Sequence, residues 1–190
     1  VDISDISIDD LTKKLFSCGF EVEEVIETGK DISKVVVGEV LTCDAIPETH
    51  LHLCTVDTGK HGVFQICCGA DNVKVGVKVP CALVGATVLA IGKDHKTVEG
   101  VMTIKEGKLR GYDSFGMLCS GAEIGVTEDM YKGASYDGLL ILDSSLENGL
   151  DIKPIVGLNE VILDIGVTAN RPDCQCVLGL AREVAAVLNK

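Results

Sequence analysis

The most informative pattern in this chain is the stretch Lys108-Leu109-Arg110-Gly111-Tyr112-Asp113-Ser114-Phe115-Gly116-Met117-Leu118-Cys119-Ser120. In an extended strand, Lys108 and Arg110 point to the same face and Leu109 to the other. Gly111 and Gly116 are expected to bracket a turn, and the apolar residues that follow predict a further short strand. A basic strand that leads into a glycine-bounded turn is typical of a β-barrel that tracks a phosphate backbone. From these residues alone, an amphipathic strand with two solvated cations is the favoured alternative.

The charges are distributed unevenly along the chain. Its 17 cations and 29 anions give a net charge of −12, which argues against a strong general nucleic-acid binder. Residues 74–110 nevertheless hold an excess of cations over anions. The cations of this segment are Lys74, Lys78, Lys93, Lys96, Lys105, Lys108 and Arg110. This pattern predicts one weak electrostatic footprint on an otherwise acidic protein.

The nine cysteines do not form a recognisable framework. Their number is odd and no Cys-x-x-Cys occurs, so neither a set of disulfides nor a zinc site is expected. Most of them lie in apolar runs, where cysteine behaves as a small hydrophobic residue, and this favours a reducing cytoplasm. Cys174 and Cys176 could bind a metal only together with ligands from elsewhere in the chain, and this interpretation is disfavoured. The sequence contains no run of about 18 apolar residues, so no membrane span is predicted.

The two ends of the chain predict a mixture of helix and strand. Ser7 is a candidate cap for a helix whose first turn carries Asp9 and Asp10, and Gly19 is a candidate stop. Residues 20–25 then alternate apolar and acidic, as in a half-buried strand. Near the other end, residues 161–167 predict a strand, and apolar residues at helical spacing follow it up to Leu188.

Between these ends the pattern is all-β. Five short strands are predicted, separated by glycine-rich turns, and Gly85 is expected to end the fourth. They cover residues 35–43, 52–57, 63–68, 78–84 and 139–142. Gly38 within the first strand predicts a bulge or a close approach of another segment. A small Greek-key barrel, most economically an OB-fold, accommodates this number of strands.

Several of these strings resemble one known family. Lys-Leu-Arg-Gly at 108–111, followed by Ser-Phe-Gly-Met-Leu-Cys-Ser at 114–120, resembles the signature of the tRNA-binding OB-fold domain. That domain occurs in phenylalanyl-tRNA synthetase β chains, at the end of some methionyl-tRNA synthetases and in free-standing tRNA-binding proteins. The segment 19–25 and the segment 168–186, with Ala169 in place of a proline, resemble motifs of the bacterial β chain. The flanks therefore favour the first of these carriers.

The resemblance implies an α+β multidomain fold. A small Greek-key β-barrel (OB-fold), the tRNA-binding domain at 40–150, would be inserted into a small split α/β domain built from 1–39 plus 151–190. The family places aminoacylation in the α chain and editing in later β-chain domains, so no catalytic site and no cofactor are expected in this fragment. The full α2β2 enzyme is implied to use ATP and Mg, and the implied partners are tRNA, the α chain and the remaining β-chain domains.

The candidate tRNA-binding residues are Lys105, Lys108, Arg110 and Ser114. One departure from the family lies in residues 46–54, where the loop is one residue short and Ile46 replaces a histidine. Contacts from His50 or His52 are therefore less favoured than a structural role.

Three alternatives remain open at this level. One is a structural or partner-docking module of the synthetase with little tRNA affinity, which the net charge and the shortened loop support. A generic single-stranded nucleic-acid module would need exposed aromatics, and Tyr131 and Tyr136 are more plausibly covers of an apolar edge. A thiol redox protein is disfavoured because the cysteines are not paired. The cluster Asn170, Arg171 and Asp173 is interpreted as a turn and cap rather than a catalytic site.

Overall fold

The computed structural model describes residues 1–92 and 97–190. These divide into two compact units, one formed by residues 1–27 and 161–190 and the other by residues 28–160. Antiparallel sheets dominate and helices are few. None of the helices in these ranges is long and apolar enough to cross a membrane.

The helices are α1 (Ile8–Ser17), α2 (Ile152–Val156) and α3 (Val177–Leu188). The strands are β1 (Glu21–Glu27), β2 (Ser33–Ala45), β3 (His52–Asp57), β4 (Val63–Cys68), β5 (Lys78–Ile91), β6 (Val98–Thr103), β7 (Gly107–Leu109), β8 (Tyr112–Ser114), β9 (Met117–Leu118) and β10 (Val161–Gly166). Short 3-10 turns lie at Gly59–His61, Ala122–Ile124 and Pro172–Cys174.

The first unit joins the two ends of the chain. Strands β1 and β10 pair antiparallel, from Glu21 opposite Gly166 to Glu27 opposite Val161, which agrees with the split domain that the resemblance implies. Helices α1 and α3 share a core with these strands, centred on the buried Leu11, Leu15 and Phe20. Thus segments more than 130 residues apart form one small hydrophobic core.

Helix α1 begins and ends where the sequence predicts. The Ser7 hydroxyl oxygen accepts a hydrogen bond from the Asp10 backbone N–H at 3.1 Å, which satisfies a donor that the first turn leaves free. Asp9 and Asp10 lie in the first turn, where the helix dipole favours negative charge. Gly19 follows the helix with φ of +88°, a conformation that favours glycine.

The second unit is built on one antiparallel sheet. Its strand order is β4-β3-β2-β5-β6, and β9 pairs with β5 beside this path. Two hydrophobic clusters fill the unit, and each fully buried valine or isoleucine in them contributes about 1.5–3 kcal/mol. One cluster includes Val40, Cys54, Val56, Ile66 and Val79, and the other includes Val37, Val88, Ile124, Leu140 and Ile152.

The predicted boundaries at 39/40 and 150/151 lie inside this second unit. Strand β2 continues through the first position, and its central residues pair with β5. Asp151 forms an isolated antiparallel bridge with Val36, so the segment after residue 150 is tied to the same strand. The compact units therefore change over at 27/28 and 160/161.

Two strand predictions need correction. Gly85 does not end β5. It has φ of +82°, which changes the direction of the chain, but its N–H still donates to the Ile104 carbonyl at 2.8 Å. Strand β5 then continues and pairs with β6. Residues 139–142 do not form a strand, because only an isolated bridge joins Leu142 to Lys78. The close approach predicted at Gly38 is confirmed, since a Cβ there would lie 2.7 Å from the Val56 side chain.

Candidate nucleic-acid interface

Residues 107–114 fold into a tight hairpin of β7 and β8. Its register places Gly107 opposite Ser114, Lys108 opposite Asp113 and Leu109 opposite Tyr112. The two connecting residues, Arg110 and Gly111, both have positive φ, at 51° and 92°. Two successive left-handed residues are the pattern of a type I′ turn, whose twist matches that of paired strands. The turn therefore lies at 110–111, and the segment from Gly111 to Gly116 contains a strand rather than the predicted turn.

The hairpin is attached to β4 by two hydrogen bonds with Gln65, one through its backbone and one through its side chain. The backbone carbonyl of Gln65 accepts from the Phe115 N–H at 2.9 Å. The Gln65 side-chain amide donates to the Asp113 carbonyl at 2.7 Å. These bonds hold the strand that returns from the turn against the main sheet, so the residues on the hairpin have a fixed platform.

Ser114 belongs to this attachment and not to the exposed surface. Its side chain is buried, at 4% exposure. Its hydroxyl accepts from the Cys67 backbone N–H at 3.1 Å and donates to the Gly116 carbonyl at 3.3 Å. Because the hydroxyl is buried and engaged on both sides, Ser114 fixes the hairpin in this structure and does not offer a phosphate contact.

The three predicted cations are all exposed, but they do not lie on one strand face. Lys108 lies on β7 and pairs across the hairpin with Asp113 at 3.6 Å, an exposed ion pair of small energetic value. Arg110 lies at the turn, where the left-handed backbone separates it from the predicted strand, and no described residue forms an ion pair with it. Lys105 is exposed in the segment between β6 and β7. The expectation that Lys108 and Arg110 project side by side from a strand is therefore wrong.

The wider basic segment contributes less than its composition suggests. The Lys78 side chain is only 14% exposed, donates to the Leu146 carbonyl and lies 4.0 Å from Glu39. Asn148 bridges Glu39 and Asp57 through its side-chain amide, and this hydrogen bond lowers the pKa of Asp57. Lys78 thus anchors a loop. Lys93 and Lys96 lie outside the described residues.

Sequence patterns missed two exposed aromatic side chains at the same hairpin. Tyr112 on β8 is 39% exposed, and Phe115, which follows β8, is 37% exposed. Leu109, opposite Tyr112, is also exposed. The expected turn between Gly111 and Gly116 hid these residues, because a turn gives no reason to expect a fixed stacking surface. Arg-Gly is not one of the favoured two-residue turn sequences such as Asn-Gly, so Gly111 gave only a weak signal of a hairpin turn here.

The other proposed aromatic and histidine contacts have different surroundings. Tyr131 packs against the hydrophobic core, and its hydroxyl accepts from the Asp143 N–H at 3.0 Å. Tyr136 is exposed and lines a cleft of about 1000 Å³. In that cleft Glu123 and Glu128 accept hydrogen bonds from nearby backbone, and their carboxylates make an unsuitable surface for a phosphate chain. The His52 Nδ1 atom is buried and has no partner among the described residues.

A second charged cluster lies in the first unit, around Arg171. Its guanidinium contacts Asp173 at 3.0 Å, Glu183 at 2.7 Å and the Cys174 sulfur at 2.9 Å, and lies 5.3 Å from the centre of the Phe20 ring. The Arg171 hydrogen bond is the main cause that lowers the pKa of Asp173 to about 2. Asp173, Cys174 and Glu183 lie close enough to hold a metal ion, yet Arg171 already bonds to all three. The arrangement fits a structural cluster that holds the turn before α3.

The thiols are free, and most are unreactive in their surroundings. Burial raises the pKa of Cys81 to about 12 and raises that of Cys119 well above its usual value. Cys18 and Cys176 are exposed and belong to the first unit. A protonated thiol is a poor nucleophile, so these buried positions act as small apolar side chains.

Comparison with known proteins finds a family match in the second unit. Residues 35–151 match the family described as "Putative tRNA binding domain". The matched range contains the hairpin and all of the main sheet except the first two residues of β2. It stops well before the Arg171 cluster.

Curated relatives match over the whole chain. It is 42% identical over 190 residues to the phenylalanine–tRNA ligase beta subunit of Streptococcus mutans, covering all of this chain and 22% of that protein. It is 40% identical over 190 residues to the same subunit of Streptococcus pneumoniae, again covering 22%. It is 43% identical over 186 residues to the subunit of a Synechococcus strain, covering 95% of this chain and 21% of that one. The chain thus spans about a fifth of these relatives and, through residues 35–151, belongs to the "Putative tRNA binding domain" family.

Proposed function

We propose that this chain is the auxiliary, non-catalytic RNA-contacting region of a phenylalanine–tRNA ligase β chain. The observation that carries the proposal is the β7–β8 hairpin, on which Lys108, Arg110 and Tyr112 are exposed, with the exposed Phe115 directly after β8. Cations bind phosphates, and aromatic rings stack on unpaired bases, so the two residue types together suit a single-stranded part of a tRNA. Lys105 extends the basic surface on the β6 side.

The fold proposal is an OB-type barrel inserted into a split α/β domain. It is supported by five strands in the order β4-β3-β2-β5-β6 and by the length of β2 and β5, which each pair with more than one neighbour. Hairpin-joined strands followed by a return connection are typical of small Greek-key barrels. The pairing of β1 with β10 supports a domain made from the two ends of the chain.

The domain proposal has its own test. A fragment of residues 28–160 is expected to fold alone, because it holds its own sheet and both hydrophobic clusters. Well-dispersed amide signals in its NMR spectrum would support the insertion. A spectrum typical of an unfolded chain would contradict it.

In the complete enzyme we propose that this region contacts tRNA while aminoacylation takes place elsewhere. The proposed partners are the synthetase α chain and the remaining β-chain domains, in an α2β2 assembly in the cytoplasm. The ATP and Mg that the reaction needs would then bind outside this region, and no catalytic residue is assigned to it.

Titration with RNA tests the function directly. The chain is mixed with tRNA-Phe, an unrelated tRNA and single-stranded DNA at two salt concentrations. We expect weak binding with little sequence preference, since the net charge of −12 repels RNA at long range. The double change Lys108→Ala with Arg110→Ala is expected to remove most of the binding and to reduce the salt slope by about one unit per lost phosphate contact.

A matched control removes the same charge elsewhere. Lys13 and Lys14 are exposed on α1 in the first unit, and changing both to alanine alters the net charge equally. Equal losses of affinity in the two double variants would mean that overall charge, and not the hairpin, governs binding. No binding of the unchanged chain at low salt would favour the second candidate function, a structural or docking module, which the net charge supports.

A further inference from the structure

One pair of thiols is placed for a covalent link that no assigned role explains. Cys43 on β2 lies directly opposite Cys54 on β3 in the antiparallel register. Both are free cysteines, Cys43 half-buried and Cys54 buried. Both belong to the same hydrophobic cluster, so their side chains point to the same side of the sheet.

The hydrogen-bond pattern identifies the kind of pair that they form. The Ile46 N–H donates to the Leu51 carbonyl at 2.9 Å, so residues 46 and 51 form a hydrogen-bonded pair at the end of this hairpin. The register runs without a shift through Ala45–His52, Asp44–Leu53 and Cys43–Cys54. Since hydrogen-bonded and non-hydrogen-bonded pairs alternate, Cys43 and Cys54 form a non-hydrogen-bonded pair, in which the Cα atoms are about 4.5 Å apart. A disulfide usually joins Cα atoms about 4.4–6.8 Å apart.

The neighbouring cysteines are less well placed. Cys68 lies opposite His52 on β4, while Cys54 lies opposite Ile66, so Cys54 and Cys68 are diagonal neighbours. Diagonal neighbours are about 7–8 Å apart, farther than the Cβ–Cβ distance of about 4 Å that a disulfide needs. Cys67 precedes Cys68 on the same strand and therefore points to the opposite face.

We propose that Cys43 and Cys54 are a redox modification site that forms a reversible disulfide across the β2–β3 hairpin when the chain meets a small-molecule disulfide such as oxidised glutathione. The disulfide would join β2 and β3 covalently, three residues from each end of the loop 46–51. It stands apart from the proposed RNA contact, because it requires neither RNA nor the hairpin at 107–114.

The two thiols have different accessibilities, which orders the steps. Burial is the main cause that raises the pKa of Cys54, followed by its thiol neighbours, so half-buried Cys43 is the attacking group. The Cys43 thiolate attacks one sulfur of oxidised glutathione, and the other glutathione leaves as a thiolate. Cys54 then gives up its proton and attacks the Cys43 sulfur, and the second glutathione leaves and is protonated. Two protein thiols are oxidised and one oxidised glutathione is reduced to two glutathiones.

The test treats the folded full chain with a series of oxidised-to-reduced glutathione ratios. Remaining thiols are then blocked and the peptides are identified by mass spectrometry. We expect a peptide pair linked through Cys43 and Cys54 that increases with the ratio and disappears when dithiothreitol is added. The variant Cys43→Ala is expected to lose the link, and Cys67→Ala, a half-buried cysteine on the adjacent strand, is expected to keep it.

Three results would overturn the proposal. One is a stable Cys43–glutathione adduct without the Cys54 link, and another is a link from Cys43 to a different cysteine. The third is an unmodified Cys43 under ratios at which the exposed Cys18 and Cys176 take up glutathione. Because Cys43 is half-buried, its alanine variant is not expected to prevent folding, and the wild-type peptide map decides the question in any case.

Discussion

Arg110 and Arg171 both attract attention in the sequence, and their surroundings in the folded chain are opposite. Arg110 lies at the turn of an exposed hairpin and forms no ion pair with a described residue. Arg171 lies between two carboxylates, a thiol and an aromatic ring of its own unit. The bonds of Arg171 are satisfied within the protein, whereas Arg110 is available to an anion from outside.

This difference shows what decides between a binding cation and a structural one. A motif gives the residue type, but the nearest carboxylates decide whether the charge is already neutralised. In the sequence Asp173 is two residues from Arg171, and Glu183 approaches only after α3 has formed. Variants that alter one region and leave the other intact test whether the two arginines differ in this way.

The largest expected effect is on the Arg171 region and follows from Gly179→Ala. A Cβ at Gly179 would lie 1.8 Å from the Asp173 carbonyl oxygen, so helix α3 and the turn before it must move apart. Overpacking against backbone costs about 3 kcal/mol in the free energy of unfolding. Amide hydrogen exchange, measured segment by segment, should show faster exchange in residues 1–27 and 161–190.

Gly111→Ala is the matched control for that change. An added methyl group at Gly111 meets nothing within 4 Å, but φ of +92° is unfavourable for alanine by about 1–2 kcal/mol. We expect this smaller cost to be confined to the hairpin. If both variants weaken both units equally, the two regions are not energetically separate.

The second effect concerns the two exposed aromatic side chains at the hairpin. Tyr112→Ala is expected to weaken single-stranded RNA binding by about 2 kcal/mol, roughly 30-fold, because one base loses its stacking partner. Phe115→Ala is expected to act similarly, and Tyr131→Phe is expected to leave affinity unchanged since that hydroxyl bonds to the Asp143 backbone. Fluorescence titration with a labelled tRNA fragment measures all three. Unchanged affinity in both alanine variants would remove stacking from the proposed contact.

Local signals predicted the framework of the fold well. The cap at Ser7, the stop at Gly19 and the strands His52–Asp57 and Val63–Cys68 follow the predicted positions, because each depends on neighbouring residues. The fourth strand was predicted to end at Gly85, whereas β5 continues beyond it and pairs with β6. A glycine in the sequence indicates a break in a strand, but it does not indicate whether pairing resumes with another strand.

The candidate site was harder to predict, because its residues acquire their roles only through tertiary contacts. Ser114 belongs to the family signature, yet its burial depends on Cys67, which is distant in sequence. Lys78 counts as a cation in the composition and becomes a loop anchor only when Leu146 folds over it. The exposure of Tyr112 and Phe115 depends on the position of the two-residue turn. The turn was predicted between Gly111 and Gly116 but lies at 110–111, so the exposure of these rings was not predicted.

The last and smallest effect separates binding from stability at one residue. Arg110 has φ of 51°, a left-handed conformation that costs a residue with a side chain about 1–2 kcal/mol and that asparagine tolerates better. Asn-Gly is also the favoured sequence for a type I′ turn. Arg110→Asn is therefore expected to raise the free energy of unfolding by about 1 kcal/mol and at the same time to weaken RNA binding.

The opposite signs make this variant informative. If Arg110 had a structural role, its removal would lower the free energy of unfolding. Removal of Arg171 is expected to have that effect, because Arg171 bonds to three residues of its own unit. Chemical denaturation measures the first quantity and RNA titration at low salt measures the second. Lys108→Gln is the companion change, since it removes one hairpin charge without altering the turn. If Arg110→Asn lowers stability and leaves RNA affinity unchanged, Arg110 is a structural residue like Arg171, and the contrast between the two arginines fails.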